Sequence, residues 1–228
     1  MKNFLILIPA RKGSKGIKNK NFIKINKISL LERAILFSKK ILAQDDIFVS
    51  SDSIKAKKIC KNNKVNYLKR NKKLSGDKVS DFKLINYCLK DINKISNKYK
   101  YIIYLQPTSP LRKVKEIFKA MRIINTQKKV NAIISISKVD LKNHPLKVFN
   151  LNQNNYLKLF SEEGKKIFAR QQLKEVYCRN GLFYIFKISS FRNSKNIYFR
   201  NSLGFLINRN IVNLDTYKEL LKLKKIIK

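Results

Sequence analysis

The stretch NFLILIPARKGSKGIKNKN runs from Asn3 to Asn21. Its first part is wholly apolar, as a strand buried on both faces of a parallel sheet should be. Pro9 stops that run. The continuation crowds Arg11, Lys12, Lys15, Lys18 and Lys20 around Gly13 and Gly16. Glycines let backbone N–H groups approach an anion closely, arginine offers a planar fork of donors, and lysines offer point charges. The loop is neither GxxxxGK[ST] nor GxGxxG, so the known nucleotide fingerprints do not apply. On its chemistry it is a phosphate-binding loop or a solvated basic turn.

Working outward, strand-like and helix-like segments alternate. Helical spacing marks residues 29–44, with Ser29 as N-cap, then 53–63, 79–96 and 113–127. Short apolar runs between them, at 46–52, 65–70, 100–107 and 131–137, read as strands. This order predicts an α/β fold with a parallel sheet and helices on both faces. From about Asp140 the rhythm changes. Residues 145–160 read as a hairpin around the polar NQNN, 181–187 as another strand, and 216–228 as a final helix. One domain with a smaller excursion near 140–200 is the simplest organisation. Ligands of open parallel sheets sit beyond the carboxyl ends of strands, which directs attention to 10–21, 51–53, 70–77, 106–112 and 138–147.

The chain has 228 residues and a formal net charge of +38. Such a charge attracts polyanions and makes weak binding salt-dependent. The lysines are spread from end to end and far outnumber arginines, a pattern of biased residue usage rather than of a concentrated nucleic-acid face. No specific nucleic-acid partner is expected. No apolar run approaches the roughly 18 residues that span a bilayer, and the N-terminal run is too short for a signal-peptide core. A cytoplasmic protein without membrane attachment is the expectation. Cys60, Cys88 and Cys178 are widely spaced, which argues against a disulfide framework and against zinc. His144 is the single histidine, so mechanisms that need two are excluded.

Three further segments carry chemistry. LQPTSPLR (105–112) follows a predicted strand; its two prolines make a rigid turn, and Gln106 presents an amide donor and acceptor. HPLKVF (144–149) and RQQLKEVYCRNGLFYIF (170–186) together supply Lys147, Arg170, Gln171, Asn180 and Tyr184, which bind anions and hydroxyls. Asp215 precedes the last helix, where one carboxylate serves as a cap or as a ligand for a hard cation.

These segments, in this order, resemble the acylneuraminate cytidylyltransferases, also called CMP-sialic acid synthetases. IPARKGSKGIKNKN looks like the family's signature loop, and SSDS, LKRNKKLSGD, LQPTSPLR, HPLK, RQQL and NGLFYI fall where the family places similar runs. The resemblance implies a Rossmann-like three-layer nucleotidyltransferase fold with a mostly parallel sheet. It also implies a small dimerisation subdomain near 140–200 and a homodimer. The implied reaction activates a nonulosonic acid with CTP, giving the CMP-sugar and pyrophosphate. Arg11, Lys15, Lys20 and Asp215 would carry catalysis. Ala10, Arg11, Ser14, Lys15, Lys20, Asn21, Arg70, Gly76 and Asp77 would bind or border the nucleotide. Gln106, Lys147, Arg170, Gln171, Asn180 and Tyr184 would contact the sugar. Mg²⁺ would sit on Asp215 and Asn213, the latter standing where the family typically has a second aspartate. The related 3-deoxy-manno-octulosonate cytidylyltransferases and a non-catalytic nucleotide- or nucleic-acid-binding homologue are the alternatives.

Overall fold

The computed structural model describes residues 3–13, 16–76, 78–96, 98–192 and 194–227. The opening apolar run forms β1 (Phe4–Pro9), with Leu5 to Ile8 fully buried. A two-residue hairpin follows, β2 (Lys24–Ile25) and β3 (Ile28–Ser29). Asn26 and Lys27 turn it with φ of 50° and 66°, the left-handed conformation that tight hairpins require. The chain then alternates through α1 (Leu30–Lys39), β4 (Ile47–Ser51), α2 (Ile54–Asn62), β5 (Asn66–Lys69), α3 (Asp81–Ile95), β6 (Tyr101–Tyr104), α4 (Val114–Thr126) and β7 (Ala132–Lys138). A hairpin of β8 (Phe149–Leu151) and β9 (Leu157–Leu159) precedes β10 (Tyr177–Lys187), β11 (Ser202–Leu206) and α5 (Tyr217–Ile226). The helix starts are written locally: Ser29 and Ser80 accept from the Glu32 and Lys83 N–H groups, and Thr216 pairs with Glu219 in a capping box.

Seven strands form one sheet in the order β11-β7-β10-β6-β1-β4-β5. β6, β1, β4 and β5 pair in parallel, as the alternation predicts. β10 lies antiparallel to β6 because the segment before it is not a crossover helix but the change of rhythm after residue 140. Strand order reverses between β1 and its neighbours β4 and β6, a switch point of the kind that opens a crevice at the strand ends.

The backbone divides into two compact units. The first comprises 1–135, 180–205 and 210–228, and the second 136–179 and 206–209. The excursion expected near 140–200 overlaps the second unit over 140–179, while 180–205 belongs to the first. Inside the second unit, His144 is 3% exposed. Its Nδ1 accepts from the Leu146 N–H, which leaves the proton on Nε2, 3.0 Å from the Lys174 carbonyl. Both ring nitrogens are used structurally. No helix among the described residues is long and apolar enough to cross a membrane.

Cys60 and Cys88 are buried and Cys178 is exposed. Burial pushes the Cys60 thiol up to about 12 and the Cys88 thiol to about 11, from the usual 9.0. A thiol-specific chromogenic reagent should therefore label Cys178 quickly and the other two only on unfolding. Because the folded state holds those protons more tightly than the unfolded chain, their contribution to stability is fully present below pH 9.0 and lost as pH rises toward 11 and 12. Rapid labelling of all three thiols in the native chain would contradict this packing.

Candidate active site

The loop after β1 is pinned at its start. The Ala10 N–H donates to the Ser50 carbonyl at 2.9 Å, and the Ser51 hydroxyl donates to the Ala10 carbonyl. The Lys12 N–H donates to Asp52 Oδ1 at 2.7 Å. Farther along, Asn21 Nδ2 donates to the Arg11 carbonyl at 3.0 Å, folding the loop back on itself. Ile17 sinks into an apolar cluster with Ile25, Leu30, Leu214, Leu220 and Leu223. That contact ties the N-terminal loop to the segment just before α5. Gly16 lies against it so closely that a β-carbon there would be 2.8 Å from the Asp215 carbonyl oxygen.

The loop forms one wall of a cleft of about 310 Å³ in the first unit, a volume within the usual range of ligand pockets. Its lining comes from beyond the carboxyl ends of β1, β5 and β6, with the first turn of α3 and Asp215 completing it. Arg11, Lys20 and Arg70 bring three cations; Asp81 and Asp215 bring two carboxylates. Lys20 Nζ donates to Asp215 Oδ1 at 2.7 Å. The aspartate side chain is 66% exposed, so this pair contributes at most about 1 kcal/mol to stability, and an incoming anion or cation can part it. Arg70 differs. It is 5% exposed, and its guanidinium donates to the Ser50 carbonyl at 2.9 Å and to the Ser50 hydroxyl at 3.3 Å. Burial pulls its pKa below the usual arginine value, with the charge of Arg11 adding to that effect. A buried cation held by neutral acceptors is an electrostatic site for an anion.

The turn after β6 forms the facing wall. Arg112 is buried; it donates to the Leu182 carbonyl at 2.5 Å and to the Gln106 carbonyl. Burial pushes this guanidinium down to about 9. The Leu214 N–H donates to the Thr108 carbonyl at 2.8 Å, so the Asp215 segment is tied to this turn as well. Tyr104, fully buried at the end of β6, donates its hydroxyl to Asp81 Oδ1 at 2.7 Å.

Of the nucleotide residues expected from sequence, Arg11, Lys20, Asn21, Arg70 and Gly76 line the cleft, together with Gln106 and Asp215. Ala10 is fully buried, and Ser50 and Ser51 take up both its backbone polar groups, which anchors the loop. Asn180 and Tyr184, expected at the sugar, are buried within β10. Asn180 Oδ1 accepts from the Leu182 N–H at 3.2 Å, and the Tyr184 ring stacks on Phe186. Asn213 turns its Nδ2 to the Asn180 carbonyl at 2.9 Å and leaves its Oδ1 buried without a hydrogen-bond partner among the described residues. Lys147 and Arg170 share a separate hollow of about 180 Å³ in the second unit, and Gln171, next in sequence, is exposed and does not line it. Ser14, Lys15 and Asp77 lie outside the described residues. Asp81, Tyr104 and Arg112 escaped the sequence reading. The signal for Asp81 was present, since a carboxylate opens a predicted helix directly after the 70–77 segment.

A family model described as cytidylyltransferase matches residues 5–226. The chain is 28% identical over 206 residues to N-acylneuraminate cytidylyltransferase of Escherichia coli O18:K1:H7, an alignment covering 90% of this chain and 47% of that protein. It is 27% identical over 229 residues to pseudaminic acid cytidylyltransferase of Campylobacter jejuni serotype O:2, covering 96% and 94%. It thus spans about half the length of the N-acylneuraminate relatives it matches. Among solved structures, CMP:2-keto-3-deoxy-manno-octonic acid synthetase complexed with CTP superposes with a TM-score of 0.73 over 99% of this chain and 98% of that one. At 13% identity that likeness speaks for the fold alone.

Proposed function

The chain belongs to the cytidylyltransferase family, and from that premise we propose that it transfers the cytidylyl group of CTP to a nonulosonic acid of the sialic or pseudaminic type. The observation that carries this reading is the grouping of Arg11, Lys20 and Arg70 around Asp215 at the strand ends. In the reaction the anomeric hydroxyl of the sugar attacks the α-phosphorus and pyrophosphate leaves. Positioning and charge neutralisation do most of the work in such transfers, which suits a cleft with no histidine. Arg11 and Lys20 receive the phosphates on the loop side, and Arg70 neutralises charge from the buried side. Lys15 joins them on the strength of the resemblance.

The donor set fits Mg²⁺, which often takes one or two carboxylates and fills its shell with water and phosphate oxygens. Asp215 would hold it, with the orphaned carbonyl oxygen of Asn213 as a neutral second donor. The ion would supply charge neutralisation at the phosphates. Lys147 and Arg170, cations of the second unit, are suited to a sugar carboxylate. That unit also exposes Phe149, Leu151, Leu157 and Phe160, side chains suited to burial in a homodimer.

The test is pyrophosphate release with CTP, Mg²⁺ and, in turn, N-acetylneuraminate, legionaminate, pseudaminate and 3-deoxy-manno-octulosonate. Release with one of the first three is expected. Release only with the octulosonate, or none from folded protein, overturns the proposal.

A further inference from the structure

We infer that Asp81 is a positioning residue that locks the polarity of the Gln106 amide, so that Gln106 presents its carbonyl oxygen and selects a hydrogen-bond donor on the acceptor sugar. The inference rests on the proposed cytidylyl transfer for the identity of that ligand, but not for the lock itself. Asp81 sits in the first turn of α3, where a carboxylate is favoured by the helix N-terminus. Its two oxygens have separate duties. Oδ1 accepts from Tyr104, a rigid, fully buried partner at 2.7 Å. Oδ2 faces Gln106 Nε2 at 3.5 Å, a long contact of the kind that tightens when a ligand closes a site. An ionised carboxylate is acceptor-only, so the nitrogen end of Gln106 belongs on its side. The backbone of Gln106 is fixed independently, since its carbonyl accepts from Arg112 and from the Ser109 N–H.

With the amide nitrogen turned to Asp81, Gln106 Oε1 is left on the side of Gly181. It lies 3.5 Å from the point a β-carbon at Gly181 would occupy, and the Ser109 hydroxyl lies 3.1 Å from that same point. Ser109 is 1% exposed, and its hydroxyl has no hydrogen-bond partner among the described residues. Gln106 lines the cleft, and its acceptor oxygen and the Ser109 hydroxyl both border the open space over Gly181. Such a corner is completed by a ligand group that donates, a sugar hydroxyl or an acylamino N–H.

Asp81→Asn tests the lock specifically. Asparagine keeps an oxygen for Tyr104 but turns a second amide N–H group toward Gln106, setting donor against donor. In the free 15N-labelled protein the Gln106 side-chain amide resonances are expected to shift in this variant, and unchanged resonances would overturn the lock without reference to any substrate. In turnover, KM for the sugar is expected to rise about tenfold while KM for CTP moves less than about twofold. Equal rises in both constants would overturn the selective role. Gln106→Glu alone sets two carboxylates face to face. The double variant Asp81→Asn with Gln106→Glu reverses the pair, removing that repulsion while keeping an acceptor oxygen toward the ligand. It should outperform Gln106→Glu by about tenfold in sugar KM, whereas additive losses would sink the inference. If the wild-type protein turns over no nonulosonate, the proposed function fails while the resonance measurement still decides the lock.

Discussion

Arg11→Ala is expected to lower kcat/KM by about a thousandfold or more, whereas Lys12→Ala and Lys18→Ala, on the same loop, shift mainly its salt dependence. Arg11 lines the cleft and reaches across it, its Nη1 donating to the Ser75 carbonyl at 3.3 Å. The guanidinium is therefore held between the loop after β1 and the β5–α3 connection, where a triphosphate would meet it. A planar fork held at one edge has a set direction, and alanine removes that fixed charge from the wall, leaving Lys20. Lys12 contributes through its backbone, which Asp52 holds, while its side chain is exposed. Lys18 is likewise exposed and does not line the cleft. Steady-state pyrophosphate release at two ionic strengths, with thermal melts of each variant, separates the cases. Retention of a tenth or more of activity by Arg11→Ala, or a comparable loss in Lys12→Ala, would contradict the assignment.

The reach of the sequence differed between fold and site for a physical reason. Buried parallel strands and their crossover helices repeat an apolar pattern, so β1, β4, β5, β6 and β7 and the helices between them were legible. β11 was not, because its half-exposed residues show no clean alternation. β10 begins at Tyr177 and not at Gly181, a stretch the sequence hid because Arg179 and Asn180 interrupt the apolar pattern ahead of Gly181. The β2–β3 hairpin turns on Asn26 and Lys27, and lysine is a poor advertisement for a left-handed turn. In the site, the cations were visible as chemistry-bearing types placed after strands. What stayed hidden were relations across the chain. Nothing local says that Tyr104 and Asp81 meet, that Arg112 clamps two carbonyls, or that Asn213 spends its amide on Asn180. Such contacts follow from the sheet order, which brings the ends of β1, β5 and β6 to one cleft.

Gly16→Ala is the substitution in which that cross-chain geometry should show most plainly, with an expected loss of about a hundredfold in kcat/KM although no functional group is removed. The added β-carbon would stand 2.8 Å from the Asp215 carbonyl oxygen, a separation that demands movement. The oxygen has little freedom to yield. Leu214, its neighbour, is fully buried in the cluster with Ile17, Leu220 and Leu223, and its N–H is bonded to Thr108. The loop must move instead, carrying Lys20 away from Asp215, which it now meets at 2.7 Å. The pair itself is worth too little for its loss to unfold the protein, so the effect should fall on turnover more than on melting temperature. Gly13→Ala is the control within the same loop, because a β-carbon there meets nothing within 4 Å among the described residues. If both alanines cost the same, glycine matters in this loop for chain freedom alone. If only Gly16→Ala is costly, the close approach of the loop to the Asp215 segment is what assembles the cleft.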